Sequence, residues 1–156
     1  MNAKIERLLL QNKKEGAVLA EVCRFLESHA IPYGRTASEL AYNARGQRVA
    51  RVAQGWPDIT AVQPGSGRLL AIECKRPTNG RLSYEQARVL LNLHQAGALV
   101  VIARSWLDVQ TVVTGGRAIR EHLQEIHTAL SKGPRLNKRR AAQRILVEGS
   151  ACNGCK

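Results

Sequence analysis

The stretch GWPDITAVQPGSGRLLAIECKRP, residues 55–77, decides the fold of this chain. It contains two short apolar runs, residues 59–63 and 68–74, on either side of the tetrapeptide Pro-Gly-Ser-Gly. A Gly-Ser pair between two such runs is typical of a type II′ turn in a β-hairpin. We therefore predict two antiparallel strands joined by a turn centred between Gly65 and Ser66.

The register of this hairpin brings charged side chains together. A turn centred between residues 65 and 66 places Asp58 opposite Glu73, with their Cβ atoms about 5 Å apart. Lys75 lies two residues beyond Glu73, on the same face of the strand. Two carboxylates at that distance repel by about 3 kcal/mol at an effective dielectric constant of about 20, and one lysine offsets only part of this repulsion.

A divalent cation would offset the repulsion between Asp58 and Glu73 fully. Mg²⁺ prefers one or two carboxylates together with water and phosphate oxygens, which matches what these residues offer. Such an ion lowers the pKa of a bound water and stabilises charge at phosphorus, while Lys75 would hold the attacking water or a phosphate oxygen. The backbone carbonyl of Cys74 is a further candidate ligand. The pattern predicts a metal-dependent nuclease.

The same three side chains also fit proteins that are not enzymes. The simplest case is a buried ion pair at the end of a strand in a protein without catalytic function. The chain could also be a catalytically silent nucleic-acid-binding protein with a nuclease fold, or a basic interaction protein of a replication, repair or packaging complex. An enzyme is favoured because the other classes have no physical need for two facing carboxylates beside a lysine.

The elements around the hairpin predict one layered α/β domain. The register sends two apolar sets to opposite faces of the strands, namely Ile59, Ala61, Leu70, Ile72 and Cys74 to one and Val62, Leu69 and Ala71 to the other. Apolar periodicity predicts helices at residues 15–30, 84–96 and 117–131, and a strand parallel to its neighbour at 99–103. Residues 105–108 can cap a further short helix, which makes Trp106 a core residue.

Three segments together resemble a known family: GWPDITAV, LLAIECKRP and RLSYEQARVLLNLHQAGALVVIARSWLDV. They are similar to the VRR-NUC branch of the PD-(D/E)xK nucleases, especially its short stand-alone members from phages and bacteria, over about residues 15 to 112. The resemblance implies an α/β, restriction-endonuclease-like core, with a mixed central sheet flanked by helices as in Holliday-junction resolvases. It also implies Mg²⁺ or Mn²⁺ as cofactor, DNA as the substrate of an endonuclease, and a homodimer. Asp58, Glu73 and Lys75 carry over as the catalytic residues, and Gln86 as the glutamine of the following motif.

Members of this family often add a glutamate from the first helix to the metal site. The predicted helix at 15–30 offers Glu15 and Glu21. Glu15 shares a helical face with Val18 and Val22, which favours it over Glu21, although an exposed glutamate that does not reach the metal is the commoner outcome at either position. Gln86 also has two interpretations, because Ser83 and Gln86 form a capping box whether or not Gln86 contributes to the site.

The positive charge of the chain favours a polyanionic partner. Lys and Arg number 24 against 12 Asp and Glu, a formal net charge of +12. The basic residues just before and just after the two strands are candidates for phosphate contacts, as an alternative to an ordinary solvated surface: Arg35, Arg45, Arg48, Arg51 and Arg76. Tyr33, Tyr42 and Trp56 lie in the same region and could stack on unpaired bases, an interpretation to which the low aromatic content of 4% gives little weight.

The C-terminal stretch is a second basic segment. Gly133-Pro134 predicts the end of a nuclease domain at residues 1–131, followed by a basic flexible tail at 132–156 that includes Lys138, Arg139 and Arg140. The tail either adds salt-sensitive affinity for the nucleic-acid backbone or only improves solubility. Its Cys152 and Cys155 are half of a zinc site that nothing nearby completes, so an exposed thiol pair is the default interpretation.

Because no run approaches eighteen apolar residues and no signal-peptide pattern is present, we expect no membrane association and a cytoplasmic protein, in the host if the chain is phage-encoded.

Overall fold

The computed structural model describes residues 13–36, 41–42, 45, 48–49, 53–115 and 118–134. Their four helices are α1 (Glu15–Ser28), α2 (Tyr84–Gln95), α3 (Trp106–Val113) and α4 (Ala118–Ser131). Their six strands are β1 (Tyr33–Arg35), β2 (Ala41–Tyr42), β3 (Arg48–Val49), β4 (Ile59–Val62), β5 (Leu69–Cys74) and β6 (Leu99–Ala103). Each predicted helix and strand is present, and α1 ends two residues earlier than expected.

The central sheet has the strand order β1-β4-β5-β6 and is mixed. β1 and β4 pair antiparallel, as do β4 and β5, whereas β5 and β6 pair parallel across the connecting helix α2. A separate two-stranded ladder joins β2 to β3. Parallel pairing of β5 and β6 follows from the long crossover through α2, since parallel neighbours cannot be joined by a tight turn.

The predicted register of the β4–β5 hairpin is confirmed. Ile59 pairs with Ile72 and Val62 with Leu69, so the next position along each strand sets Asp58 against Glu73. The turn itself differs from the predicted two-residue type II′ turn, because it is a four-residue loop in which the Gly67 N–H donates to the Gln63 carbonyl.

The sequence explains this difference in the turn. A two-residue hairpin would require position 64 to donate a backbone hydrogen bond to position 67, and Pro64 has no N–H. The strands are therefore closed one pair earlier, where the Gln63 N–H donates to the Arg68 carbonyl at 2.9 Å.

Two apolar cores lie on opposite sides of the sheet, as the alternation along β5 predicts. One core packs α1 and α3 against Ile59, Leu70, Ile72 and Cys74. The other packs α2 and α4 against β6 and Ala71. Val62 and Leu69, which the register sends to this second face with Ala71, are 43% and 37% exposed near the loop.

The structure shows where the helices leave the hairpin open. α2 and α4 cover β5 and β6 on the second face, so the β4 side of that face receives no core residue from them.

Trp106 packs against the first core and stacks on Phe25, with ring centroids 5.5 Å apart, as predicted for a core residue. Among the residues that the structure describes, no helix has the length and hydropathy to cross a bilayer.

Candidate active site

The carboxyl end of β5 carries two charged side chains into the protein interior. Glu73 is fully buried and Lys75 is 5% exposed. The Lys75 Nζ donates to Glu73 Oε1 at 2.7 Å, because residues two apart on a strand share a face. Asp58, one residue before β4, accepts a hydrogen bond on Oδ2 from the Cys74 N–H at 2.8 Å. The hairpin thus gathers the three residues that its register predicted.

The first helix adds a third carboxylate. Glu15 opens α1, and its Oε1 lies 3.3 Å from the Lys75 Nζ. One ligand atom from each of Glu15, Asp58 and Glu73 can be chosen so that all three lie within 4.8 Å of one another. Glu21 lies apart from this cluster and forms an ion pair with Lys13. Of the two glutamates weighed from the sequence, the structure brings Glu15 to the site.

Gln86 combines the two interpretations that the sequence left open. Its Oε1 accepts from the Ser83 N–H at 2.9 Å, and its own N–H donates to Ser83 Oγ at 3.2 Å, so the capping box of α2 is formed. Its Nε2 also donates to Glu73 Oε1. The same side chain therefore caps α2 and holds the buried carboxylate, which ties the start of the helix to the end of β5.

Burial and mutual repulsion shape the charges of the site. Burial, with a further contribution from Asp58, raises the pKa of Glu73 to about 7. Burial also raises the pKa of Asp58, against the hydrogen bond from Cys74. Burial is the largest single influence on the pKa of Lys75 and acts to lower it, but the charges and hydrogen bonds of Glu73 and Glu15 together outweigh it, so this pKa is raised. One ammonium group thus leaves the carboxylates only partly compensated.

The residues of the site fit a divalent metal ion. Within the described part of the chain, the buried Oε2 of Glu73 has no hydrogen-bond partner. A buried carboxylate oxygen without a partner is costly, and a cation would satisfy it. The three carboxylates offer the hard oxygen ligands that Mg²⁺ and Mn²⁺ prefer. The Cys74 side chain belongs to the opposite core, so only its backbone could contribute, and the predicted role of its carbonyl stays a prediction.

The predicted DNA-contact residues are placed unequally. Arg35 ends β1 opposite Ile59, and its charge acts to lower the pKa of Asp58. Arg76 is exposed directly after Lys75, Arg45 is exposed, and Arg48 lies in β3. Several predicted residues lie outside the described part of the chain: Arg51, Lys138, Arg139, Arg140, Cys152 and Cys155.

A cavity beside Gln86 was not predicted. It has a volume of about 510 Å³ and lies between the start of α2 and the end of α4, with Arg81, Tyr84 and Lys132 in its wall. The sequence signal was weak, because Lys132 is 48 positions from Tyr84 and 51 from Arg81, and they meet only through the packing of α2 on α4. Glu85 and Glu125 also line the cavity, so its two cationic residues are balanced by two acidic ones.

A second group of charged side chains connects the elements around the site. Arg104, just after β6, forms a two-pronged ion pair with Glu125 of α4 at 2.8 and 3.0 Å. It also donates to the Gly80 carbonyl in the loop that leads from Lys75 to α2. Asp108 accepts from the backbone N–H groups of Arg104 and Ser105, both at 2.8 Å. These contacts join α3, α4 and that loop at one end of the sheet.

Comparison with known proteins gives one family. The model of the VRR-NUC domain matches residues 6–106, which include every residue of the carboxylate cluster together with Lys75 and Gln86. No curated protein and no solved structure matches this chain. The match agrees with the mixed sheet flanked by helices, an α/β fold of the restriction-endonuclease type.

Proposed function

The chain belongs to the VRR-NUC domain family, whose members are nucleases, and from that premise we propose that it is a divalent-metal-dependent endonuclease. Its reaction would be the hydrolysis of phosphodiester bonds in DNA. The observation that carries the proposal is the buried Glu73 Oε2, which has no hydrogen-bond partner among the described residues and lies in a cluster of three carboxylates.

Charge balance supports a divalent ion at this cluster. When ionised, Glu15, Asp58 and Glu73 carry three negative charges, and Lys75 returns one positive charge. Asp58 and Glu73 would hold the ion, with Glu15 and the Cys74 carbonyl as further ligands. A bound Mg²⁺ or Mn²⁺ would supply Lewis acidity towards the scissile phosphate and lower the pKa of the attacking water.

The protein residues would position the reactants. Lys75 is almost completely buried, and its Nζ is already directed to Glu73 by a 2.7 Å hydrogen bond. A second ammonium proton donates to Glu15 Oε1 at 3.3 Å, so one proton remains for an attacking water or a phosphate oxygen. Gln86 donates to the same oxygen, Glu73 Oε1, so two donors orient the carboxylate and its Oε2 is left for the ion. Positioning of this kind is a large part of catalysis in phosphoryl transfer.

The basic surface around the site supports DNA as the substrate. Arg35 and Arg76 lie near Asp58 and Glu73, at the end of β1 and just after β5, and Arg81 and Lys132 line the cavity beside Gln86. Cationic side chains on both sides of a scissile bond fix the backbone without selecting sequence. Selection of junctions or flaps, and a homodimer, are the finer parts of the proposal. Sedimentation of the intact chain would test the dimer.

A cleavage assay tests the proposal directly. Wild type and Lys75→Ala would be incubated with labelled four-way junction, 5′ flap, single-stranded and duplex DNA, each with Mg²⁺, Mn²⁺ or EDTA. We expect metal-dependent cutting that the variant loses, and the preferred substrate would define the selectivity. Binding without cutting on all four substrates would instead support a catalytically silent DNA-binding protein.

A further inference from the structure

The chain has two tryptophans, and they have opposite surroundings. Trp106 packs against the first core and stacks on the ring of Phe25. Trp56 is 37% exposed, and it stacks on no other ring in the part of the chain that the structure describes. A base that covered the exposed part of this ring would remove apolar area from water, which is favourable.

The backbone on both sides of Trp56 is held in place. Gly55 has φ +86°, and a Cβ there would lie 2.6 Å from the backbone carbonyl of Glu85 in α2. The Trp56 N–H donates to the Ala53 carbonyl at 3.1 Å. On the other side, Pro57 is buried and its carbonyl accepts from the Thr36 hydroxyl. The exposed ring therefore stands on a constrained segment.

This constrained segment leads straight into the carboxylate cluster. Trp56 is two residues before Asp58, so their Cα atoms are at most about 7 Å apart. Its neighbour Gly55 touches the backbone of Glu85 and Gln86 at the start of α2, the turn whose Gln86 side chain binds Glu73. Trp56 is therefore close along the chain to Asp58, and its neighbour Gly55 contacts the start of α2. Within the part of the chain that the structure describes, the Trp56 ring makes no hydrogen bond to the three carboxylates.

We propose that Trp56 stacks on an unpaired nucleobase next to the scissile phosphate. A phosphate held at the carboxylate cluster brings its flanking nucleotide to within reach of a residue two positions away. An unpaired base offers a π face to an aromatic side chain whatever its identity, whereas a base inside a continuous duplex is already stacked on both faces. The substrate class is therefore DNA with at least one unpaired base beside the cut. This inference rests on the proposed nuclease function and names its selectivity.

Intrinsic fluorescence gives a test that needs no cleavage. In EDTA, oligo(dT) would be titrated into wild type, Trp56→Phe and Trp106→Phe. We expect base stacking to quench the emission of wild type and of Trp106→Phe, in which Trp56 is the sole tryptophan, and to leave Trp56→Phe unchanged. Equal quenching in Trp56→Phe, or none in wild type although the oligonucleotide binds, would overturn the proposal. If Trp106→Phe fails to fold, the comparison of wild type with Trp56→Phe still decides the outcome.

Affinity measurements separate stacking from phosphate contacts. The anisotropy of labelled oligo(dT) and of an abasic strand of the same length would be measured with wild type, Trp56→Ala and Trp56→Phe. We expect Trp56→Ala to bind oligo(dT) about tenfold more weakly and the abasic strand as wild type does, because one base–aromatic stack is lost. Trp56→Phe keeps a ring and should stay near wild type. Equal weakening on both strands would mean that Trp56 supports the fold rather than a base.

The cleavage assay distinguishes the two proposals from each other. If wild type cuts DNA with Mg²⁺ but Trp56→Ala retains the full preference for unpaired over duplex substrate, only the stacking inference fails. If wild type quenches and binds but never cuts, the nuclease proposal fails while Trp56 remains a base-binding residue. The expected result is cutting by both proteins, with a selective loss on unpaired DNA in Trp56→Ala.

Discussion

Two charged clusters lie near the same end of the sheet, and they differ in how well their charges are matched. In the Arg104 cluster, a guanidinium pairs with Glu125 through two hydrogen bonds while Asp108 accepts from two backbone N–H groups. In the Glu73 cluster, three carboxylates share one lysine, and the buried Oε2 of Glu73 has no partner among the described residues.

This difference in charge matching indicates different roles for the two clusters. The Arg104–Glu125 pair is about one-third exposed on each side and satisfies its own charges, which is what a joint between α4 and the sheet requires. In the Glu73 cluster, Glu73 itself is fully buried although the Glu15 side chain is 46% exposed, and one lysine faces three carboxylates, so the buried charge costs stability unless a cation binds. Perturbed charges of this kind concentrate at functional sites. We therefore propose a catalytic role for the Glu73 cluster and a supporting role for the Arg104 cluster.

The largest expected effect is a loss of cleavage when Asp58 of the Glu73 cluster is changed to asparagine. The same change at Asp108 of the Arg104 cluster is the control. Asp58→Asn keeps an oxygen that can accept from the Cys74 N–H but removes a charge that the metal needs. We expect its cleavage rate with Mg²⁺ to fall by about a thousandfold or more, since the metal supplies several kcal/mol of transition-state stabilisation. The matched Asp108→Asn change should leave cleavage within about threefold. Equal losses in initial-rate assays would remove the distinction between the clusters.

The metal-free protein should become less stable as pH rises. The pKa of Glu73 is about 7 when folded, against an ordinary value of 4.5, so between these values the folded state holds a proton that the unfolded state has lost. Stability then falls with increasing pH, by up to roughly 3 kcal/mol across the window. Denaturant unfolding in EDTA from pH 4.5 to pH 8 would measure the slope.

Glu73→Gln is the control for that slope. Because the amide does not ionise, the variant should lose most of the pH dependence and be more stable than wild type at pH 8, while it loses cleavage. Adding Mg²⁺ should stabilise wild type by mass action and leave the variant unchanged. Identical pH profiles for the two proteins would show that Glu73 is not the group that titrates.

A smaller effect should separate the two functions of Gln86. Gln86→Ala removes both the cap of α2 and the bond to Glu73, whereas Ser83→Ala removes only capping contacts. Both should lower the free energy of unfolding by about 1 kcal/mol. Only Gln86→Ala should also reduce the cleavage rate, by about tenfold, because Glu73 loses a positioning partner. Equal cleavage rates in the two folded variants would reduce Gln86 to a capping residue.

The smallest effect belongs to the supporting cluster. Arg104→Ala breaks a pair that is about one-third exposed, so we expect a loss of about 1 kcal/mol in thermal or denaturant unfolding. Cleavage per folded molecule should stay near the wild-type rate at a temperature where the variant is folded. A hundredfold loss would mean that the loop anchored at Gly80 belongs to the catalytic machinery.

Much of the fold and of the site could be predicted because it depends on residues that are close in the sequence. The turn centre between Gly65 and Ser66 predicted the hairpin register, and that register alone set Asp58 against Glu73. The capping box at Ser83 was equally local. The turn type was missed because the missing N–H of Pro64 outweighs the Gly-Ser preference.

Other features depend on packing between distant segments. Glu15 reaches Lys75 only because α1 packs on the sheet with its first residue at the end of β5, and the helical pattern alone could not exclude Glu21. The second bond of Gln86 needs α2 to start beside the end of β5. Arg104 and Glu125, separated by 21 positions, show no sequence periodicity that pairs them.

The most direct test is calorimetric titration of Mn²⁺ into wild type and Glu73→Gln at pH 8, without DNA. A cluster of undercompensated carboxylates should bind the ion in wild type, with proton release that grows as the pH is lowered towards 7, and the variant should bind it at least tenfold more weakly. Equal binding by both proteins, or none by either at millimolar Mn²⁺, would contradict the assignment of the Glu73 cluster as a metal site.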